Sequence, residues 1–154
     1  MAASNQTLDL TACGQCACFN LRKATRAVTR LFDAAVQPLS LRATQFTILA
    51  AVAQHGPIQI TELAENLVMD RTTLSRDLGP IEKRSWVRID PGEDRRARVV
   101  ELTVHGRSLL EQALPVWKQT QEKVVSGLGP GDFEVLLKGL SATVSIAKGG
   151  EKTS

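Results

Sequence analysis

WVRIDPGEDRRARVVELT, residues 86–103, has the pattern of two short strands joined by a turn loaded with arginine. Val87 and Ile89 alternate with Arg88 and Asp90, PGED supplies the turn, and Val100 and Leu102 return on the opposite strand. Arg95 and Arg96 fall at or next to the tip, with Asp94 beside them. A guanidinium at a narrow tip can enter a minor groove, where the negative potential over A·T tracts is strongest. A neighbouring carboxylate can hold that guanidinium in one rotamer.

Upstream of the hairpin, Asp70 is placed to cap a helix bearing Arg71, Thr72, Thr73, Ser75 and Arg76, with Leu74, Leu78 and Ile81 as its inward face. Arginine can bond guanine O6 and N7 together, and Thr and Ser hydroxyls suit phosphates or base edges. Two arginines on an isolated helix are more often a solvated face, but the basic hairpin behind them shifts the balance. Helix and hairpin together are the layout of a winged helix-turn-helix that reads duplex DNA. Gly79 and Pro80 predict a bend or loosened turn beyond the base-reading half of the helix.

Working outward, Leu21, Thr25, Val28, Phe32 and Ala35 recur at steps of three and four, predicting a helix from Cys18 that stops before Pro38. A second helix is expected after Ser40, burying Phe46, Leu49 and Val52 or Ala53 and stopped by Gly56 and Pro57. Ile58 to Ile60 reads as a minor strand, and Thr61 as the cap of a short helix with Leu63, Ala64 and Leu67 inward. Thr103 is the expected N-cap of a long helix carrying Leu109, Leu110, Ala113, Trp117 and Val124, with a kink at Pro115. After the break GLGPGD, Gly131 or Asp132 starts a last helix with Phe133, Leu136, Leu137, Leu140 and Val144 on one side, before a polar tail, GGEKTS, expected to fray. The fold class is therefore mainly α with a small β-hairpin wing.

The 154 residues suit one domain, and 43% hydrophobic composition is ample for a core. A net charge of +3 is only mildly basic, so the distribution of charge says more than its total. No apolar run approaches the roughly 20 residues that cross a bilayer, and the N-terminus lacks the pattern of a secretory signal. A cytoplasmic location and no membrane partner are expected. Cys13, Cys16 and Cys18 are odd in number and crowded, which suits a reducing compartment better than a disulfide framework.

LRATQFTILAAV, ITELAENLVMDRTTLSRDLGPIEKRSWV and DPGEDRRARVVELTVHG together resemble the MarR family of bacterial transcription regulators, over nearly the whole chain. The resemblance implies a repressor that leaves its operator on meeting an effector. It implies a homodimer whose first and last helices interlock, residues 13–37 and 107–148 here, around a winged core at 40–103. It also implies a pseudo-palindromic operator, with Arg71, Thr72, Ser75 and Arg76 in the major groove, Arg96 in the minor groove and Asp94 orienting it. Two-fold symmetry then spaces the half-sites about 10 bp apart. Independently, the apolar faces of the terminal helices exceed what a small winged domain covers, which also favours pairing.

CGQCACF, residues 13–19, leaves three readings open: a thiol redox sensor, a metal sensor, or small buried residues. The Cys18–Phe19 pair resembles that of the organic-hydroperoxide-sensing branch of the family, whose thiol oxidises to a sulfenate. That branch supports its cysteine with tyrosines; this chain has none and places Arg22 and Phe32 at the matching positions. Arg22 lowers the thiol pKa only if it reaches the sulfur. The family also often binds small aromatic or anionic effectors, and no residue here identifies one. No cofactor and no enzymatic activity are expected; a thiol peroxidase needs a base or arginine beside its cysteine, and no Cys-His motif is evident.

Overall fold

The computed structural model describes residues 9–94 and 97–151. A 3₁₀ turn, Thr11–Gln15, leads into α1 (Ala17–Val36); a second, Gln37–Leu39, separates α1 from α2 (Ala43–His55). Then come β1 (Ile58–Gln59), α3 (Ile60–Leu67), α4 (Arg71–Lys83), β2 (Val87–Pro91), β3 (Arg98–Leu102), α5 (Val104–Leu128) and α6 (Pro130–Glu151). The chain forms two compact units, Met1–Ala113 and Leu114–Ser154, dividing inside α5.

The first unit carries the winged core. Phe46, Ile48, Leu49 and Val52 of α2 are buried with Leu63 and Ala64 of α3 and with Leu74, Leu78 and Ile81 of α4. Ala53 is exposed, so Val52 is the residue that α2 turns inward. Burying side chains of this size contributes about 1.5–3 kcal/mol each. The sheet runs β1-β3-β2, all antiparallel, and its central strand places Val100 at 0% exposure. In register, Val87 faces Leu102 and Ile89 faces Val100, as the alternation predicts. β1 pairs Ile58 with Val100, which ties the wing to the connection between α2 and α3.

Local chemistry sets the boundaries. Gly56 ends α2 at φ +73°, where a side chain would be strained. α3 starts at Ile60, with Gln59 in the extended cap position, so Thr61 lies inside the helix and does not cap it. The strand runs straight into the helix, which leaves no room for a separate capping residue. α4 continues through Pro80 to Lys83. Gly79 has no Cβ to meet the proline ring, which relieves part of the usual clash that disfavours helical backbone before proline.

Thr103 caps α5 as expected: its Oγ1 accepts the Gly106 N–H at 3.0 Å. α5 is helical across Pro115. Ala113 is buried at the end of the first unit; in the second, Val116, Trp117, Val124 and Val125 are half-buried along α5. α6 begins at Pro130, not at Gly131 or Asp132, because Gly129 at φ +88° turns the chain and proline is pre-set for the first helical position. It runs on through Gly149 to Glu151, so the tail is helical further than its glycines suggest.

Candidate nucleic-acid interface

The Asp70 carboxylate accepts the Thr73 N–H at 3.0 Å, fixing the first turn of α4. Leu74, Leu78 and Ile81, each at 0% exposure, lock the opposite face into the core. Arg71, Thr72, Ser75 and Arg76 consequently face solvent from the N-terminal half of the helix. Thr73 differs from these four: it is half-buried, and its hydroxyl lies 3.5 Å from the Asp70 carboxylate, so its backbone and side chain serve the cap.

The hairpin follows within four residues of α4. The Gly92 N–H donates to the Ala97 carbonyl at 2.9 Å and the Ala97 N–H to the Asp94 carbonyl at 2.8 Å, closing the loop around the tip. Asp94 is exposed. Arg95 and Arg96 lie outside the described residues. Below the tip, the Arg88 guanidinium reaches Asp90 at 2.6 Å and Glu101 at 2.7 Å on the outer face of the sheet. Alternation places Arg88 and Asp90 on one face, and the register puts Glu101 opposite Arg88. Once Val87 is paired with Leu102 this network is legible in the sequence, but the alternation alone does not supply that pairing.

The base of the hairpin is pinned from three sides. The Thr103 hydroxyl donates to the Ser85 carbonyl at 2.6 Å, and the Thr103 N–H donates to the Trp86 carbonyl at 3.1 Å. The Arg84 guanidinium stacks over the Trp86 ring, 4.8 Å from its centroid, and donates to the Ser40 carbonyl. The end of α4 is thereby fastened both to the wing and to the connection between α1 and α2. Ser40 and Arg84 are 44 residues apart, so no local pattern announces that bond.

Cys13, Cys16 and Cys18 are all exposed in this chain, so the single chain does not supply the buried setting that a core role would need. Cys13 lies in the first 3₁₀ turn, Cys16 at the cap position of α1 and Cys18 in its first turn. The Cys16 N–H donates to the Cys13 carbonyl at 3.2 Å, placing these two residues across one tight turn. Ahead of them Asp9 accepts the Thr11 hydroxyl and N–H, which holds its carboxyl below the usual 3.8. Among the described residues no group of three or more His, Cys, Asp or Glu side chains is assembled to hold a metal ion. No described helix is long and apolar enough to cross a membrane.

Comparison with known proteins agrees with this geometry. A profile of the MarR family matches residues 41–97, from the start of α2 into the wing. The HTH-type transcriptional repressor NicR of Pseudomonas putida is 33% identical over 119 residues, 76% of this chain and 75% of its own. The M. tuberculosis transcriptional regulator MosR, solved in complex with DNA, superposes with a TM-score of 0.81 at 32% identity, over 87% of this chain and 97% of that one. Bordetella bronchiseptica BpsR, a structure concerned with regulation of DNA binding by 6-hydroxynicotinic acid, shares the fold with a TM-score of 0.77 at 22% identity, over 90% of this chain and 97% of its own. An exposed basic helix locked by its apolar face, a three-stranded wing and relatives that cover three quarters of the sequence agree: the chain belongs to the MarR family of transcriptional regulators.

Proposed function

We propose that the protein is a cytoplasmic, homodimeric repressor that binds a pseudo-palindromic operator and leaves it when an effector acts. The observation that carries this is α4: Arg71, Thr72, Ser75 and Arg76 are exposed on a helix whose other face is fully buried, with the β2–β3 hairpin directly behind. Arg71 and Arg76 read base edges, Thr72 and Ser75 complete the contact, and Thr73 acts through the cap. Arg96, with Asp94 beside it, serves the minor groove, and Arg95 contributes positive charge at the tip.

Footprinting on the DNA upstream of the protein's own coding sequence locates the operator. Titrations at fixed salt then separate the roles: Arg76→Ala relaxes preference at one base position, by about 1–3 kcal/mol, whereas Arg96→Ala weakens binding across related operators. Negligible and equal effects of both substitutions would sink the assignment. A winged domain used only for protein contacts would show no salt-dependent DNA binding.

Exposure of all three thiols leaves them open to an oxidant, which supports a redox trigger. A hydroperoxide oxidises the Cys18 thiolate to a sulfenate and leaves as the alcohol; a second thiol, Cys16 or Cys13, then forms a disulfide with loss of water. The expected result is that peroxide lowers operator affinity of the wild type and not of Cys18→Ser. Unchanged wild-type affinity after thiol oxidation verified by mass spectrometry rejects it. The protein regulates and does not turn over: sustained peroxide consumption with a thiol reductant would instead mark a peroxidase. A small aromatic or anionic effector is the other trigger, in keeping with BpsR, whose DNA binding 6-hydroxynicotinic acid regulates.

A further inference from the structure

We infer that Val68, in the turn between α3 and α4, reads the 5-methyl group of an operator thymine, a role that rests on the DNA-reading helix proposed above. Only three residues, Val68 to Asp70, separate the two helices. The Val68 N–H donates to the Glu65 carbonyl at 3.2 Å and the Met69 N–H to the Ala64 carbonyl at 2.8 Å, closing the end of α3. This closure takes position 68 into left-handed backbone, φ +53° and ψ +43°. Glycine enters that region without cost.

Valine does not. Its branched Cβ crowds the backbone there, which disfavours the conformation by about tenfold. The other non-glycine residues at positive φ among those described are serines, Ser40 and Ser85. Burial within the chain does not offset the strain, because Val68 is 56% exposed. Of the large hydrophobic residues exposed among those described, it alone falls within residues 41–103; the others precede α1 or lie on α1, α5 and α6. The terminal helices whose apolar faces suit pairing therefore do not include it. Around it Asn66, Asp70, Arg71 and Thr72 are polar and exposed, so no apolar patch surrounds this one side chain.

The chemistry of an isopropyl group names its target. It neither donates nor accepts a hydrogen bond, so a phosphate offers it nothing. On the base edges of a major groove the apolar group is the thymine 5-methyl. Reach agrees: Val68 stands two residues before the Asp70 cap, at most about 7 Å along the chain, which is about two base-pair steps of duplex. With Arg71 and Thr72 in the groove, the thymine lies just outside the bases met by the first turn of α4. Strain held at an exposed position is then offset in the complex with DNA, where the methyl contact forms.

Operator duplexes in which each thymine of one half-site is replaced in turn by deoxyuridine, which keeps the base pair and removes only the methyl, test this on the full chain. Fluorescence anisotropy at fixed salt compares the wild type with Val68→Gly and Val68→Asn, two residues that accept left-handed backbone and lack the methyls. The expected result is one position at which deoxyuridine weakens the wild type about 4-fold. Both variants should bind the unmodified duplex about 4-fold more weakly and show no further loss at that position. Thermal unfolding at matched protomer concentration should move the other way, with the midpoint of Val68→Gly about 2–4 °C above the wild type. If deoxyuridine costs wild type and variants the same at every position, the side chain meets sugar or nothing, and the inference falls. Midpoints below the wild type in both variants would show the valine serving the fold itself and overturn it too. A protein that binds no operator duplex sinks the DNA-reading role and this contact together, whereas loss of the deoxyuridine difference alone leaves that role standing.

Discussion

Gly106 shows how one missing side chain positions the wing. A Cβ on this residue would lie 2.0 Å from the Trp86 carbonyl oxygen and 2.8 Å from the Leu102 side chain, so α5 can start beneath the hairpin only with glycine here. The same turn carries the Thr103 cap, whose hydroxyl serves Ser85 and Trp86 on one side and Gly106 on the other. Gly106→Ala therefore has to displace backbone and break the cap together. The expected loss is about 3 kcal/mol or more in guanidinium unfolding at fixed protomer concentration, beyond ordinary overpacking. A loss below about 1 kcal/mol would mean that the Trp86 turn yields freely and that glycine is not required for close approach. Sequence made Thr103 legible as a cap because its chemistry is local. The role of Gly106 was not legible, since its neighbour Trp86 is brought close only by the folded hairpin.

At the scale of elements, α4 and the wing were legible for the same reason: Asp70, the spacing of Leu74, Leu78 and Ile81, and the alternation of Val87, Ile89, Val100 and Leu102 are repeats within a few residues. The starts of α3 and α6 were less so, because a strand entering directly at Gln59 and a proline at the first position of α6 override the capping residues that come after them. What stiffens the wing is cross-strand and could be found only after pairing. Arg88 bridges Asp90 and Glu101 on one exposed face and offsets one of their two charges, each side chain being at least 42% accessible. Such an exposed pair contributes about 0.2–1 kcal/mol, so Arg88→Gln should scarcely alter stability. It leaves two carboxylates adjacent below the tip proposed above to meet DNA, however, and there their field would add to that of the phosphates. Operator affinity is expected to fall several-fold at low salt and to recover as salt rises, opposite to the usual loss, when compared with wild type at each salt concentration. Titration of wild type, Arg88→Gln and Glu101→Gln over a salt series measures this; a deficit that stays constant with salt assigns Arg88 to strand geometry instead of charge.

For the whole molecule, the decisive quantity is apolar surface that one chain leaves uncovered. Along α6, Leu137 is 47% exposed, Leu140 37% and Val144 40%, at helical spacing on one side, and α1 exposes Phe19 at 54% and Leu31 at 43%. A stripe of this kind on a lone helix is an invitation to a partner, and a second copy of the same chain is the partner that the pseudo-palindromic operator proposed above would require. Dimerisation also sets affinity: once one α4 is seated, the second binds as an intramolecular event, raising overall affinity by about 10²–10⁴ without new contacts. Leu137→Asp combined with Leu140→Asp places charge in that stripe without touching the buried core of the winged unit. In sedimentation experiments the wild type should run as a dimer and the double variant as a monomer that retains helical circular dichroism. Its operator affinity should fall at least about 100-fold, while its affinity for an isolated half-site should match that of the wild type. Adding about 5 bp between the half-sites should impose the same loss on the wild type, because half a helical turn carries the second site to the far side of the duplex. A double variant that remains dimeric, or a monomer with undiminished operator affinity, would show that α6 is not the surface through which two recognition helices are held in register.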